Sequence, residues 1–310
     1  MGKAFTKKSS AAVALFGALM IFSVNATHAA GTSSAQFLKL GAGARAAAMG
    51  DAFTSVADDV TSAYWNPAGL AQLKSTEISL MQNNYLVNSQ YQYAGAAMPC
   101  GDSALGVSIY RMDFGSIDRY TASDVQDGSF NAGSLAGALT LGTKMSENFY
   151  TGVTVKYIQE TLESEKATSF AGDLGMIFKQ GRFQYGAVVQ NLGPSLKMVQ
   201  ESQPLPQTIR LGASTRFLNE KLLLSVDLSK PNDNDTALHG GVEYHLIDLL
   251  TLRGGYSVTP GNQTGLGGLT GVTGGIGVNV DHLSIDYGIV PFGDLGIAHR
   301  ISLLYHFSHL

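Results

Sequence analysis

The amino-acid sequence predicts an all-β protein: a transmembrane antiparallel β-barrel of about 14 strands, preceded by an N-terminal hatch, or plug, that contains short helices. Three observations lead to this prediction. The chain begins with an export signal, apolar and polar residues alternate from about residue 76 to residue 307, and no later apolar run is long enough for a membrane-spanning helix. The predicted boundaries are a signal peptide at 1–30, the hatch at 31–74, the barrel at 75–307 and a C-terminal tail at 308–310.

The first 30 residues have the three parts of a secretory signal peptide. Three lysines lie among the first eight residues, a nearly continuous apolar run extends from Ala11 to Val24, and small residues follow at 29–30. The apolar run is shorter than the roughly 20 residues that a membrane-spanning helix needs. We therefore expect a cleaved signal peptide, with a signal anchor as the alternative, and a mature chain in the outer membrane of a Gram-negative-type bacterium.

The composition favours a membrane barrel over an exported soluble domain. Charged residues make up 14% of the chain, against about 25% in ordinary soluble domains, and the chain contains 37 glycines, 13 tyrosines and 14 phenylalanines. The formal net charge is −4, and removing the signal peptide removes lysines but no acids. An acidic chain without a basic stripe argues against nucleic acid as a partner, so the expected surroundings are outer-membrane lipid.

The hatch region is rich in small residues and lacks the alternation of the later sequence. Apolar residues at i, i+3, i+4 and i+7 from Phe53 predict a short helix, with Asp51 placed to cap it. Residues 36–40 are expected to form a short extended piece. Asn66 and Pro67 predict a turn, because the residue before a proline avoids the helical region.

Four short motifs follow one another in this region. They are residues 37–46 (FLKLGAGARA), 48–54 (AMGDAFT), 57–59 (ADD) and 64–70 (YWNPAGL). In this order they resemble the N-terminal signature of PorV/PorQ-type outer-membrane proteins, a group similar to the FadL-type transporters of hydrophobic compounds. The resemblance implies a hatch that plugs a fourteen-stranded barrel. The candidate hatch or gate residues are Arg45, Asp51, Asp58, Asp59, Asn66, Pro67 and Gly69.

The charged residues of the hatch are expected to have partners, and its proline and glycine are expected to restrict its backbone. Arg45 lies in mostly uncharged sequence, so inside a barrel it needs a partner, either Asp51 or a charge on the wall. Asp58 and Asp59 could bind a cation, but an acid that is solvated or paired with Arg45 is the more ordinary outcome. The proline and glycine of the Asn66–Leu70 segment restrict the path of the backbone into the first strand.

Period-two alternation predicts the strands. The fourteen candidates are 76–85, 90–98, 104–113, 129–143, 149–160, 169–179, 183–192, 207–217, 221–229, 236–246, 249–259, 271–280, 282–290 and 297–307. Short connections alternate with long ones, and the long ones are 114–129, 193–207, 230–235, 260–269 and 291–296. This asymmetry is typical of outer-membrane barrels, with short periplasmic turns and long extracellular loops. Phe307 resembles the C-terminal aromatic signal of such barrels, which makes the barrel-assembly machinery an expected partner.

The face predicted to line the lumen carries seven charges. They are Lys156, Asp173, Arg210, Arg216, Asp227, Glu243 and Arg253. Because positive and negative charges nearly cancel, we expect ion pairs that pack the wall against the hatch, with a site for a ligand head group as the alternative. Glu243 and Arg253 are symmetric about a turn, so they are expected to face each other.

No pattern in the sequence points to catalysis. The histidines stand singly without metal-ligand spacing, Cys100 is the only cysteine, and no catalytic motif is present. We expect no enzyme activity, no metal and no cofactor. The resemblance implies, as the expected function, a passive conduit or binder for a hydrophobic small-molecule ligand. The alternative is a surface scaffold or shuttle whose partner is a secreted or surface protein, as in type IX secretion.

Overall fold

The computed structural model describes residues 31–259 and 270–308, and fourteen of its strands form one closed antiparallel barrel. The strands are β1 Glu77–Asn84, β2 Gln90–Cys100, β3 Ser103–Tyr120, β4 Gln126–Ser146, β5 Phe149–Leu162, β6 Glu165–Gln180, β7 Phe183–Leu192, β8 Leu196–Met198, β9 Glu201–Gln203, β10 Thr208–Phe217, β11 Leu222–Pro231, β12 Ala237–Ile247, β13 Leu250–Val258, β14 Val272–Val280, β15 Leu283–Pro291 and β16 Ile297–His306. Strands β8 and β9 form a separate hairpin, and β1 closes the barrel against β16. The predicted fold class is confirmed.

Most predicted strands agree with the structure within a few residues, but the predicted long loop at 114–129 is wrong. Here β3 and β4 continue beyond the rest of the wall, because Ser116 pairs with Asn131 and Ile117 with Phe130. The connection is reduced to a tight turn in which the Thr121 N–H donates to the Val125 carbonyl at 2.8 Å. The predicted loop at 260–269 lies outside the described residues.

The hatch contains only short helices. They are 3₁₀ helices at Gln36–Lys39 and Pro67–Gln72 and two single turns, α1 Ala44–Ala48 and α2 Ser62–Trp65. The extended piece expected at 36–40 is therefore wrong. Two further 3₁₀ turns, Leu86–Asn88 and Gly293–Leu295, lie in barrel loops. Within the part of the chain that the structure describes, no helix is long and apolar enough to cross a membrane.

The helix predicted from Phe53 onward is also wrong. One helical bond forms, from the Ala57 N–H to the Phe53 carbonyl at 3.0 Å, but neighbouring groups bond to the barrel wall. The Thr54 N–H donates to Asp227 at 2.8 Å, and Gln184 donates to the Ser55 carbonyl. Phe53 and Val56 are buried, as expected, but polar Ser55 between them is fully buried as well. A segment enclosed on every side has no solvent face, so helical spacing of apolar residues carries little information there.

Along each strand, side chains that face the lumen alternate with side chains that face the lipid. On β11, Leu224 and Val226 are 40% and 55% exposed, whereas Ser225 and Asp227 between them are buried. The largest apolar cluster lies inside the barrel, where Tyr64 of the hatch packs against Tyr110 of the wall with ring centres 5.9 Å apart. The chain enters the lumen at the long-loop end, where the Gly31 N–H donates to the Asp233 carbonyl at 3.0 Å, and leaves it at the short-turn end to begin β1.

Candidate functional site at the hatch–wall interface

Ten glycines on the lumen side of the wall lie at close range to hatch atoms, most of them backbone atoms. This glycine belt consists of Gly106, Gly142, Gly152, Gly175, Gly186, Gly212, Gly241, Gly255, Gly275 and Gly288, each on a different strand. A Cβ atom on Gly142 would lie 2.8 Å from the Pro67 carbonyl oxygen, and one on Gly255 would lie 2.1 Å from the Gly50 nitrogen. Both distances are below 3.0 Å, which real Cβ atoms essentially never show. The hatch therefore fits the wall without space for a larger side chain.

Arg45 connects the hatch to β12. Its guanidinium donates to both oxygens of Glu243, from Nε at 2.7 Å and from Nη2 at 2.9 Å. Its third nitrogen, Nη1, donates to Asp58 at 2.6 Å and to Asp59 at 3.2 Å. A bidentate pair of this kind fixes orientation as well as charge. Of the two partners expected for Arg45, the structure therefore provides the wall charge and not Asp51.

The same network continues along the wall. Glu243 also accepts from Arg253 at 2.7 Å, as the cross-strand pairing predicted, and Arg253 donates to Asp286 at 2.6 Å. On the other side, Arg216 donates to Asp58 at 2.8 Å. Although burial opposes ionisation, Arg45 and Arg216 hold the pKa of the Asp58 carboxyl below its ordinary value. The adjacent acids are thus bound by arginines.

Arg210 and Asp227 form a second contact, around Thr54. The Asp227 carboxylate accepts from the Thr54 N–H, while the Arg210 Nε donates to the Thr54 hydroxyl at 3.0 Å. Arg210 also donates to the Asp51 carbonyl at 2.6 Å, and its guanidinium lies 4.9 Å from the centre of the Trp65 ring. Asp51 therefore contributes a backbone acceptor here. It lies at a positive φ of 63°, directly after α1 and Gly50.

Lys156 and Asp173 face the lumen but do not contact the hatch through their ion pair. Their charged atoms lie 2.7 Å apart, and both side chains are almost fully buried. Asn191 completes the group, since its side-chain oxygen accepts from Lys156 and its N–H donates to Asp173, each at 2.8 Å. Asn191 also donates to the Pro206 carbonyl. This pair therefore holds the base of the loop that carries β8 and β9.

The Asn66–Leu70 segment is held by backbone contacts rather than by charge. Asn66 is extended, with φ −164° and ψ 106°, and its side chain accepts from the Ala68 N–H to cap the helix that begins at Pro67. The Asn66 amide donates at 3.0 Å to the carbonyls of Thr54 and Met176, so it joins hatch and wall. A Cβ on Gly69 would lie 2.1 Å from the Ala57 carbonyl oxygen. Close approach, not an unusual backbone angle, is why a glycine is needed there.

The sequence interpretation missed several charged residues. Asp286 and Arg300 lie on the lumen side of β15 and β16, and the Arg300 Nη1 donates to the Gly41 carbonyl at 3.2 Å. The same alternation that found the other wall charges could have found both. Asp233, in the β11–β12 loop, accepts from Ser33, Gln36 and Lys39. No local signal marks that contact, because the residues are far apart in sequence.

Asp233 anchors the start of the hatch at the extracellular end. Lys39 approaches its carboxylate to 2.9 Å, and Gln36 donates to it at 2.7 Å. Burial works against ionisation, but the hydrogen bonds from Ser33, Gln36 and Lys39 outweigh it and lower the pKa of Asp233 to about 2. The carboxylate is therefore charged at neutral pH and binds the first turns of the hatch.

A cavity of about 490 Å³ opens at the extracellular end between the β8–β9 hairpin and the wall. Leu196, Met198 and Val199 supply its apolar part, and Glu160 and Glu201 supply carboxylates. Within the described residues, no group of three or more histidine, cysteine, aspartate or glutamate side chains is arranged to hold a metal ion.

The wall itself is continuous. Strands β1 and β2 pair from Glu77 to Asn84, and β2 pairs with β3 along its whole length without a shift of register. Register shifts occur between β3 and β4, β4 and β5, β6 and β7, and β12 and β13, and in each case the strands remain paired on both sides. In the described parts of the barrel, no strand is separated from its neighbour.

A closed antiparallel barrel with an apolar outer face, paired charges inside and an N-terminal hatch is a plugged outer-membrane barrel. A family model described as the type IX secretion system protein PorV matches residues 23–231, more than half of the sequence. The chain belongs to this family, and the resemblance based on the hatch motifs is confirmed. No curated protein matches the sequence.

Solved structures with similar folds include toluene transporters and a FadL homologue. The Ralstonia pickettii toluene transporter TbuX has a TM-score of 0.63 and 14% identity, covering 86% of this chain and 99% of that one. The Pseudomonas putida toluene transporter TodX has a TM-score of 0.61 and 14% identity, with coverages of 85% and 96%. A Pseudomonas aeruginosa FadL homologue has a TM-score of 0.57 and 14% identity, with coverages of 89% and 98%. At such identities the likeness establishes the shared fold.

Proposed function

We propose that this outer-membrane barrel is a non-enzymatic surface scaffold that receives exported proteins at its extracellular end, after its own signal peptide has been cleaved and the barrel-assembly machinery has inserted it. The observation that carries the proposal is the fit between the hatch and the glycine belt. Hatch atoms lie at close range against ten strands of the wall, so the hatch occupies the lumen at that level. Membership of the PorV family supports a role in protein export.

The extracellular rim offers a surface for such a partner. The projecting part of β3 and β4, residues 114–130, is exposed on both faces, and we call it the rim ribbon. Its exposed side chains include Phe114 at 43%, Tyr120 at 55% and Val125 at 60%. Aromatic side chains such as Phe114 and Tyr120 are enriched in protein interfaces.

The experiment replaces residues 116–129 with a short turn in a strain that exports cargo proteins. The shortened barrel is expected to assemble, because the wall below Asp113 keeps its pairing, but cargo at the cell surface should fall strongly. Cargo is measured by surface labelling, and assembly by heat-dependent mobility on gels. Shortening the turn at Gly293–Leu295, another connection at the extracellular end, provides the control. Normal cargo export by the ribbon-deleted barrel would refute the proposal.

The second candidate is a passive binder or conduit for a hydrophobic small molecule. The specific observation in its favour is the extracellular cavity with its apolar side chains, on a fold shared with the toluene transporters. A Met198→Arg variant should then weaken binding of a hydrophobic fluorescent probe, while Lys197→Arg, outside the residues that line the cavity, should not. Equal probe binding by both variants would eliminate this candidate.

A further inference from the structure

Arg300 differs from the other buried cations of the wall. Lys156, Arg210 and Arg253 each form an ion pair with a carboxylate on a neighbouring part of the wall. Arg300 is only 3% exposed, and no carboxylate of the described residues forms an ion pair with it. The residues outside the described ranges contain no aspartate or glutamate that could do so. Because a buried charge without a counter-charge is strongly destabilising, Arg300 requires an explanation.

Two neutral side chains beside Arg300 also lack partners. Asn83 of β1 lies directly opposite Arg300 of β16 and Tyr91 of β2, so the three residues form a polar row across the seam where the barrel closes. Side chains at opposite positions have Cβ atoms about 4.5–5.5 Å apart. Asn83 and Tyr91 are fully buried, yet both polar atoms of the Asn83 amide, the Tyr91 hydroxyl and the Arg300 Nε have no hydrogen-bond partner in the described chain. Buried polar groups are nearly always hydrogen-bonded, so this concentration of unbonded atoms points to a ligand.

The hatch places its smallest residues beside the polar row. The Arg300 Nη1 donates to the Gly41 carbonyl at 3.2 Å, and in the next row towards the periplasm the Ala44 N–H donates to the Ser302 hydroxyl at 3.1 Å. Residues 41–44 read Gly-Ala-Gly-Ala, so their side chains take up little of the space between hatch and wall. The polar row therefore faces hatch backbone rather than a bulky side chain.

The chemistry of the polar row favours an anion. Arg300 supplies a positive charge and an N–H, the Asn83 amide supplies N–H groups, and the Tyr91 hydroxyl supplies an O–H. An ionised oxygen accepts such bonds about twice as strongly as a neutral one, and an anion also neutralises the guanidinium, which a neutral molecule cannot do. Asp51 is the acid beside this segment, since a Cβ on Gly41 would lie 3.2 Å from its Oδ1, but it forms no ion pair with Arg300 in the described structure. Because all three donors are buried, the anion must be small.

We propose that a small oxyanion, a phosphate or a carboxylate, binds between the polar row and residues 41–44, where it neutralises Arg300 and joins the hatch to β16, β1 and β2. Asn83 is the last residue but one of β1, so the site lies near the extracellular end and the external medium is the nearest source of the anion. The proposal goes beyond the scaffold function and uses no residue of the rim ribbon. Its failure would therefore leave the scaffold function untouched.

The test uses Trp65, the only tryptophan of the chain, as an internal reporter. Its Nε1 donates to the Ala42 carbonyl at 2.8 Å, so its fluorescence responds to changes in residues 41–44. The full-length mature barrel is unfolded in urea to release any bound anion, refolded into detergent in chloride buffer, and titrated with sodium phosphate or sodium acetate at constant ionic strength. A saturable change in fluorescence is expected. Arg300→Met should weaken binding at least about tenfold, the effect of losing one charge-assisted hydrogen bond. Arg111→Met, which removes an exposed arginine of β3, is the matched control and should bind as the unaltered barrel does.

A second variant keeps the test decisive if Arg300→Met does not assemble, which heat-dependent gel mobility would reveal. Asn83→Leu retains the charge of Arg300 but removes the amide, and it should also weaken binding. Tighter binding of phosphate than of acetate would support the proposal and assign a phosphate, and the reverse order would support it and assign a carboxylate. No saturable response to either anion in the unaltered barrel would overturn the proposal and assign the charge balance of Arg300 to Asp51 through water. An equal response from Arg300→Met and Arg111→Met would also overturn it.

Discussion

The hatch contacts two sides of the same barrel by different means. On the β3–β6 side, the backbone of the Pro67–Gln72 helix lies against glycines of the belt. On the β10–β15 side the belt continues, but charged side chains are added, as in the contacts of Arg45 with Glu243 and of Asp58 with Arg216. In the described residues, every ion pair between hatch and wall lies on this second side or in its β11–β12 loop.

The difference between glycine packing and ion pairing indicates on which side the hatch can be detached from the wall more easily. Backbone packing is lost only when the shape of the wall changes, whereas an ion pair is lost when a single charge is removed. A buried charge without a partner is strongly destabilising, so the charged side should respond most to single substitutions. The β3–β6 side should therefore be the more persistent attachment of the hatch.

Arg45→Met is expected to have the largest effect. It leaves Glu243, Asp58 and Asp59 with less positive charge in a buried site, at a cost of about 3–5 kcal/mol. Hydrogen exchange should show lost protection across residues 44–59 while 66–72 stay protected. Lys156→Met is the matched control, because it also breaks a buried ion pair but one that does not contact the hatch. Restored protection in an Arg45→Met, Glu243→Gln double variant would attribute the effect to the pair, and equal loss in both hatch segments would contradict the contrast.

Gly142→Val tests the backbone side. The added Cβ would lie 2.8 Å from the Ala71 nitrogen and from the Pro67 carbonyl oxygen, and overpacking of this kind costs about 1–3 kcal/mol. Hydrogen exchange should increase in residues 66–72 first. Gly137→Val, on the same strand but with open space around its added Cβ, should leave the hatch unchanged. If both valine variants behave alike, the glycine belt does not hold the hatch.

Asn66→Ala removes a cap and two donors from the same side. Loss of an N-cap costs about 0.5–2 kcal/mol, and here the bonds to the Thr54 and Met176 carbonyls disappear as well. The helix beginning at Pro67 should exchange faster, with a smaller change than in Gly142→Val. Gln72→Ala, which removes one amide bond to Ala57 at the other end of the same helix, serves as the control. An unchanged rate at 67–70 would show that the glycine contacts alone suffice.

The smallest effect is expected at Asp233 and depends on pH. The pKa of its carboxyl is about 2 in the folded protein, below the roughly 3.9 of an unfolded aspartate. Its contribution to stability is therefore complete above about pH 4 and is lost as the pH falls through the folded value. A spin label at Gly31→Cys, in a Cys100→Ser background, should become mobile between about pH 4 and 2. In an Asp233→Asn variant the label should show no transition in this range, and a shared transition would assign the change to another group.

The alternation of the strands shows how much a local pattern can determine. Each side chain on a strand points to the face opposite its neighbours, so the seven predicted wall charges could be assigned to the lumen from sequence, and all seven lie there. The same rule, applied to β15 and β16, would have included Asp286 and Arg300. The β3–β4 extension was missed because the sequence composition changes after residue 113, where the predicted strand ended. The turn itself lies farther along the chain, at residues 121–125.

The sequence by itself therefore determined the barrel and the two faces of its wall, because period-two alternation is a local property. Only the tertiary structure decided the path of the hatch and its contacts. Arg45 and Glu243 are 198 residues apart, and the positions of both depend on closure of the barrel around a segment that has no solvent face. The number of glycines could be read from the sequence. Their role could not, because it depends on another segment of the chain lying close to them. Contacts of that kind arise only when the whole barrel is closed.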